Sequence, residues 1–283
     1  MPVTAITEAR IALEASGKLP DAEIDLAATA LQLARVDTPE ADWQAAAALL
    51  SDIAREAVAR AAANPVADAG DGEARRKVLA ALIHGHFGFE GDTRSYDDMA
   101  NANLIAVLAR RQGLPVALGL LWLHAAEAAG WEAHGVDFPG HFLLALNDRN
   151  GPVVVDVFHG GQRLEARELR ALIKRMEGEK AELRPGMMTA MGKRAVLLRL
   201  QNNIKLRRLQ AHDVEGALGC VEDMKRLAPG NALLWREAGL MNHRLERIGA
   251  ALGALEHSLV LAPQAEGHLR IRELVDELRH RLN

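Results

Sequence analysis

Two residues in the middle of the chain carry side chains suited to proton chemistry at a matching spacing. His141 opens the apolar run HFLLAL and Asp156 closes the run VVVD. Between them, residues 147–151 read NDRNG, a hairpin signal between two β-type segments. With the turn centred on Asp148 and Arg149, His141 falls directly opposite Asp156 on the neighbouring strand, within side-chain reach. An imidazole beside a carboxylate can orient a polar ligand, act as a general base, or simply fix the hairpin, and the spacing alone leaves all three open. Covalent acyl transfer needs a nucleophile as well, and the chain's single cysteine, Cys220, lies far away in sequence.

Other chemistry-bearing residues are scattered. His84 and His86 stand two apart in a helical segment and so point to different faces; with His124, His134 and His159 they form no metal-ligand spacing, and no metal or cofactor is expected. The polar stretch SYDDMANAN holds the only tyrosine, Tyr96, with Asp97, Asp98 and Asn101. These residues either cap a loop or line a binding pocket. The glycines of ADAGDGEA follow no strand, which argues against a phosphate-binding loop.

The elements that must position these groups are mostly helical. LPDAEIDLAATALQLARVD reads as one helix. TPEADWQAAAALLSDIAREAVARAAA reads as the next, with Thr38 as N-cap and Pro39 in the first turn. A loop over 64–74 follows, then the helix RRKVLAALIHGHFGF and the helix ANANLIAVLARRQG, ended by Gly113. Residues 115–129 begin on Pro115 and are apolar on every face, which predicts a central buried helix. Beyond Gly130 the period changes to strands.

From about Ala190 the chain is helical again. Ala217 aligns with Ala251 and Pro229 with Pro263, a period of 34 residues that belongs to tetratricopeptide-type repeats. Trp235 and Gly239 take the repeat's consensus Trp and Gly places in the second unit, where the first has Gln201 and Lys205. Cys220 falls within a repeat helix, which predicts a packed thiol. Ile271, Leu274, Val275, Leu278 and Leu282 share one face of a last, capping helix. The run KLRRLQ reads as a solvated charged face.

Composition sets outer bounds. The 283 residues are 49% hydrophobic and 25% charged, with formal net charge −4, values of a globular protein without the dense positive field that nucleic acid selects. Glu8, Arg10 and Glu14 interrupt any signal-type apolar core near the start, and no later run reaches membrane-spanning length. A cytoplasmic protein with no membrane or nucleic-acid partner is expected, and one cysteine suits a reducing compartment.

GFEGDTRSYDDMANANLIAVLARRQGLPVALGLLWLHAAEAAG, followed by GVDFPGHFLLAL and VVVDVF, resembles the bacterial SirB-type transglutaminase-like proteins. These join a transglutaminase-like core to a tetratricopeptide-type tail. The resemblance runs from about Leu19 to the C-terminus and is densest from Gly88 to Phe158, with PGHF and RRQGLPVAL its most specific parts. It implies papain-like chemistry in active members: a Cys at the start of the central helix, a His beginning one strand and an Asp on the next. His141 matches the His, Asp156 matches the Asp, and Pro115 stands in the place of the Cys. The SYDDMANAN residues match the family's segment ahead of the central helix.

The expected fold is α+β: N-terminal helices over 1–75, a transglutaminase-like (papain-like) core with a buried helix and small antiparallel sheet over 76–189, and an all-α tetratricopeptide-like tail over 190–283. The expected function is a non-catalytic protein-interaction or regulatory module that takes a protein or peptide on its helical-repeat tail. The alternative is a cysteine-independent hydrolase or transferase in which His141 and Asp156 activate water.

Overall fold

The computed structural model describes residues 2–149, 151–184 and 186–282. Asn150, in the expected hairpin turn, lies outside them. The chain opens with helix α1 (Pro2–Lys18), unmarked by the sequence reading because its Ala-rich run carries little amphipathic contrast. Helix α2 (Leu26–Asp37) is capped by Asp25, whose side chain accepts from Ala28 N. Helix α3 (Trp43–Ala62) is capped by Asp42, accepting from Ala45 N, and not by Thr38. The Thr38 hydroxyl is already committed: it donates to Ala34 O at 2.9 Å and closes the end of α2.

Short helix α4 (Pro65–Asp68) occupies the expected loop, and α5 (Gly72–Ala80) runs on through a wider π turn at Ala81–His86. A two-residue strand β1 (Glu90–Gly91) pairs in parallel with β2 (Gln112–Gly113). Between them, helix α6 (Leu104–Arg110) is capped by Asn103 and ends at Arg111, whose φ of 60° is left-handed. The terminator is therefore Arg111 rather than Gly113, which is taken up by β2.

Helix α7 (Pro115–Ala128) begins on a buried proline at its first position, and nearly every residue through Ala126 is buried. Proline fits there because the first-turn N–H has no intrahelical partner. The helix lies against a five-stranded antiparallel sheet: β3 (Ala133–Phe138), β4 (His141–Leu146), β5 (Val153–Asp156), β6 (Gln162–Leu164) and β7 (Thr189–Met191), in spatial order β6-β5-β4-β3-β7. Phe142, Leu144, Leu146 and Val155 face the α7 core. Val136, Phe138, Leu143 and Ala145 face the other way, onto α8 (Ala166–Glu177) through Leu169, Leu172 and Ile173. Covering on both faces explains why β4 reads as an uninterrupted apolar run. At Gly119 the backbone of α7 comes so close to β4 that an added Cβ would meet Phe142 Cε1 at 2.1 Å.

The tail comprises α9 (Lys193–Gln210), α10 (Val214–Leu227), α11 (Ala232–Arg244), α12 (Ile248–Leu261) and α13 (His268–Leu282). Helices α10 and α12 start and stop 34 residues apart, as the repeat requires. Gly239 is needed at its repeat position because a Cβ there would meet Leu255 Cγ at 2.5 Å. In the first unit Lys205 is buried instead, its Nζ 2.6 Å from Glu237 Oε2. On α13, Ile271, Val275 and Leu278 are buried, but Leu282 is exposed at the helix end.

The apolar core runs without a break across residue 190. Val196, Leu197, Leu200, Ile204, Cys220 and Leu227 belong to the same cluster as α7, and Arg10 of α1 pairs with Asp223 of α10 at 3.0 Å. The KLRRLQ run is not a solvated face: Arg208 pairs with Asp37, and Arg207 donates to the carbonyls of Tyr96 and Asp97, each at 2.9 Å. Among the described residues no helix is long and apolar enough to cross a membrane.

Candidate functional site

His141 and Asp156 meet, although by a different register from the one expected. The ladder pairs Leu144 with Val155, Ala145 with Val154 and Leu146 with Val153, so that register continued puts Asp156 opposite Leu143 and diagonal to His141. The slip is two residues, and because side chains alternate with period two it keeps both groups on the same face. His141 Nε2 lies 3.2 Å from Asp156 Oδ1, and both side chains are buried.

A third group completes the cluster. After β5 the chain turns, and the Asp156 carboxylate accepts from the turn's backbone: Phe158 N at 3.0 Å and His159 N at 3.4 Å, both to Oδ1. The His159 Nδ1 lies 2.8 Å from Oδ2, and its side chain is 51% exposed. The two imidazoles stack at 6.5 Å between centroids. Burial alone would raise the Asp156 pKa, but the hydrogen bonds and charges of His141 and His159 outweigh it and hold the carboxyl at about 2.

The turn is held from below. Gly161 takes a positive φ of 75°, and a Cβ there would meet the Trp122 ring at 2.5 Å. Arg76 Nη1 donates to Gly161 O at 2.6 Å. Trp122 Nε1 in turn donates to His84 Nε2 at 3.2 Å, and His84 Nδ1 lies 2.7 Å from Phe89 O. An Nε2 that accepts and an Nδ1 that donates define a neutral imidazole, and burial pushes its pKa down. His84 is thus a positioning element for the turn, while His86 points outward.

Comparison with known proteins bears on the fold that carries this arrangement. The sequence profile of the transglutaminase-like superfamily matches residues 44–202, more than half of the chain. The chain belongs to the transglutaminase-like superfamily. A tetratricopeptide-repeat profile matches residues 204–276. A UPF0162 protein of Xylella fastidiosa (strain Temecula1 / ATCC 700964) is 28% identical over 260 residues, 90% of this chain and 91% of that protein. A UPF0162 protein of Vibrio cholerae is 26% identical over 211 residues, covering 74% and 78% respectively. F-box only protein 21 of Mus musculus is 31% identical over 112 residues, 36% of this chain and 18% of that one.

Within the transglutaminase-like core, the SYDDMANAN residues divide. The Tyr96 ring stands 5.8 Å from Phe158, edge-on, and so reaches the neighbourhood of His141, which contacts the same phenylalanine at 6.5 Å. Asp97 is exposed and pairs with Arg207 at 3.6 Å. Asp98 caps the short 3-10 turn Met99–Asn101 by accepting from Ala100 N at 2.9 Å. Asn101 is buried, donating to Ser95 O at 2.7 Å and accepting from Arg110 at 3.2 Å. Asp98 and Asn101 therefore spend their polar contacts on the loop and on Arg110 of α6.

Of this region Asp92 escaped the sequence reading, and His159 was named there only among scattered histidines without metal-ligand spacing. Asp92, buried, accepts from Arg94 N and Ser95 N and pairs with Arg110 at 3.1 Å; the Ser95 N–H holds its carboxyl below the ordinary value. The D-T-R-S order is an Asx-turn signal that was available. His159 carried no such signal, because it lies past the strand end and only the turn brings it back. Cys220 is buried in α10, where desolvation pushes its thiol up to about 11.

Proposed function

We propose that this protein is a non-catalytic transglutaminase-like protein of the SirB type, in which Pro115 stands where active members carry their cysteine, and that it acts by binding a peptide segment of a partner protein. The observation that carries this reading is the placement of the chain's single sulfhydryl. Cys220 is packed in the tail-side core with its thiol held up at about 11, and helix α7 starts on a buried proline. His141 therefore has no thiol to activate, and acyl-enzyme chemistry of the papain type has no nucleophile.

A groove supports the binding half of the reading. A cavity of about 840 Å³ lies between the β3–β4 turn and helices α9–α11, lined among others by Phe138, Asn202, Leu233 and Glu237. Leu233 is 61% exposed. An exposed leucine beside amide and charged side chains suits an extended peptide that places one apolar side chain in the groove and pairs its backbone with the polar rim. Peptides selected from a random library on the full chain should lose at least about tenfold in affinity for Leu233→Asp, the cost of setting a charge against an apolar anchor. Selected peptides that bind both forms equally would contradict the groove.

A second reading rests on the 3.2 Å contact of His141 with Asp156: the pair activates water as base and orienting group. A panel of amides and esters decides between them. Turnover that disappears in His141→Ala would replace the non-catalytic reading.

A further inference from the structure

We infer that His141, Asp156 and His159 together bind one divalent transition-metal ion of the zinc class. Each offers one ligand atom, and the three atoms lie within 4.8 Å of one another. Two imidazole nitrogens and one carboxylate oxygen are borderline-to-hard donors without sulfur, a set that suits zinc, iron or cobalt(II) over soft ions such as copper(I) and over calcium or magnesium.

The distances fit a shared ion. Ligands held at ~2.0–2.1 Å from a zinc-class ion in tetrahedral or octahedral array stand roughly 3–3.4 Å apart. His159 Nδ1 stands 2.8 Å from Asp156 Oδ2, near that range already, and the 3.2 Å contact of His141 Nε2 is with the other carboxylate oxygen, Oδ1. The ligand atoms lie within 4.8 Å of one another, so the widest separation must close by up to about 1.4–1.8 Å to bring all three to one ion. His159 can supply that movement by rotation of its half-exposed side chain while the backbone turn stays in place.

The surroundings have the form of an outer shell. Oδ1 of Asp156 is oriented by the Phe158 and His159 N–H groups, which fixes the carboxylate plane and leaves Oδ2 directed to His159. The turn that carries His159 is anchored by Arg76 and Trp122, so the third ligand is delivered by a braced segment. Two of the ligands are buried and the third faces solvent. Three protein ligands with an open side are the pattern of sites that keep a position for water or a ligand, rather than of closed structural sites.

The inference reaches beyond peptide binding and is tested without it. The full chain, freed of metal with a chelator and dialysed, is titrated with Co²⁺ followed by visible absorption and with Zn²⁺ followed by calorimetry. One equivalent should bind, and Zn²⁺ should raise the melting temperature. His159→Ala, at an exposed position that leaves the fold intact, should weaken binding by at least about tenfold and remove the melting shift, as should Asp156→Asn. His86→Ala, an exposed histidine elsewhere, should change neither. Absence of a one-equivalent event, or an event of unchanged affinity in His159→Ala, would overturn the site. If Asp156→Asn fails to fold, His159→Ala and His159→Gln decide alone.

Discussion

The start of α7 and the interior of α10 are opposite environments for the same chemistry. At the first turn of a helix the N–H groups lack intrahelical partners and the helix dipole favours an anion, so a thiol placed there ionises readily. The residue there is Pro115. Inside α10, packed among apolar side chains, a thiolate is disfavoured, and that is where Cys220 sits. The chain thus keeps its only thiol where it is least reactive. Place on a helix decides whether a sulfhydryl is packing material or a nucleophile.

Packing separates the two helices as sharply as electrostatics does. Gly119→Ala in α7 drives a Cβ into Phe142, on a helix clamped between α3 and the sheet, and should cost about 3 kcal/mol in urea denaturation. Gly219→Ala in α10 meets nothing within 4 Å, and should gain about 0.5–1 kcal/mol from helix propensity. Equal stabilities for the two variants would erase the contrast.

The thiol itself gives the next largest effect. With its pKa at about 11, Cys220 should react with iodoacetamide about two orders of magnitude more slowly in the native protein than in urea at equal pH. Comparable rates would show that α10 opens freely and is not part of the core.

A smaller effect separates the braced turn beneath α7 from the tail. The His84 imidazole is neutral and its pKa lies below the ordinary 6.5 because burial disfavours its cation. As pH falls below about 6.5 the unfolded chain takes up this proton before the folded chain does, so stability should decline with acid across that window. His84→Gln, which keeps an acceptor for the Trp122 N–H, should remove that part of the pH dependence. An identical stability profile in the variant would show that His84 takes up its proton at the same pH in both states.

Much of this was legible in the residues. The 34-residue offset of α10 and α12 is a property of the sequence that the helices reproduce. The His141–Asp156 contact survived a register error because an even slip preserves the face. What stayed hidden depended on distant packing. Strand β7 joins β3 from more than fifty residues away, and its three residues carry no signal of their own. Thr38 and Asp42 both have N-cap chemistry, and the choice fell to which hydroxyl or carboxylate the preceding helix had already used. His159 enters the site through a turn whose shape depends on Trp122.

The most direct test of the account puts a thiol where the proline is. In a Cys220→Ser background, Pro115→Cys leaves one sulfhydryl, at the start of α7, and its alkylation rate is followed against pH. Helix dipole and imidazole should together place its pKa about one unit below the roughly 8.5 of a free cysteine, and His141→Ala in the same background should raise it again. A pKa at or above the free value, unmoved by His141→Ala, would mean that Pro115 is only a helix start and that the nucleophile's place lies elsewhere.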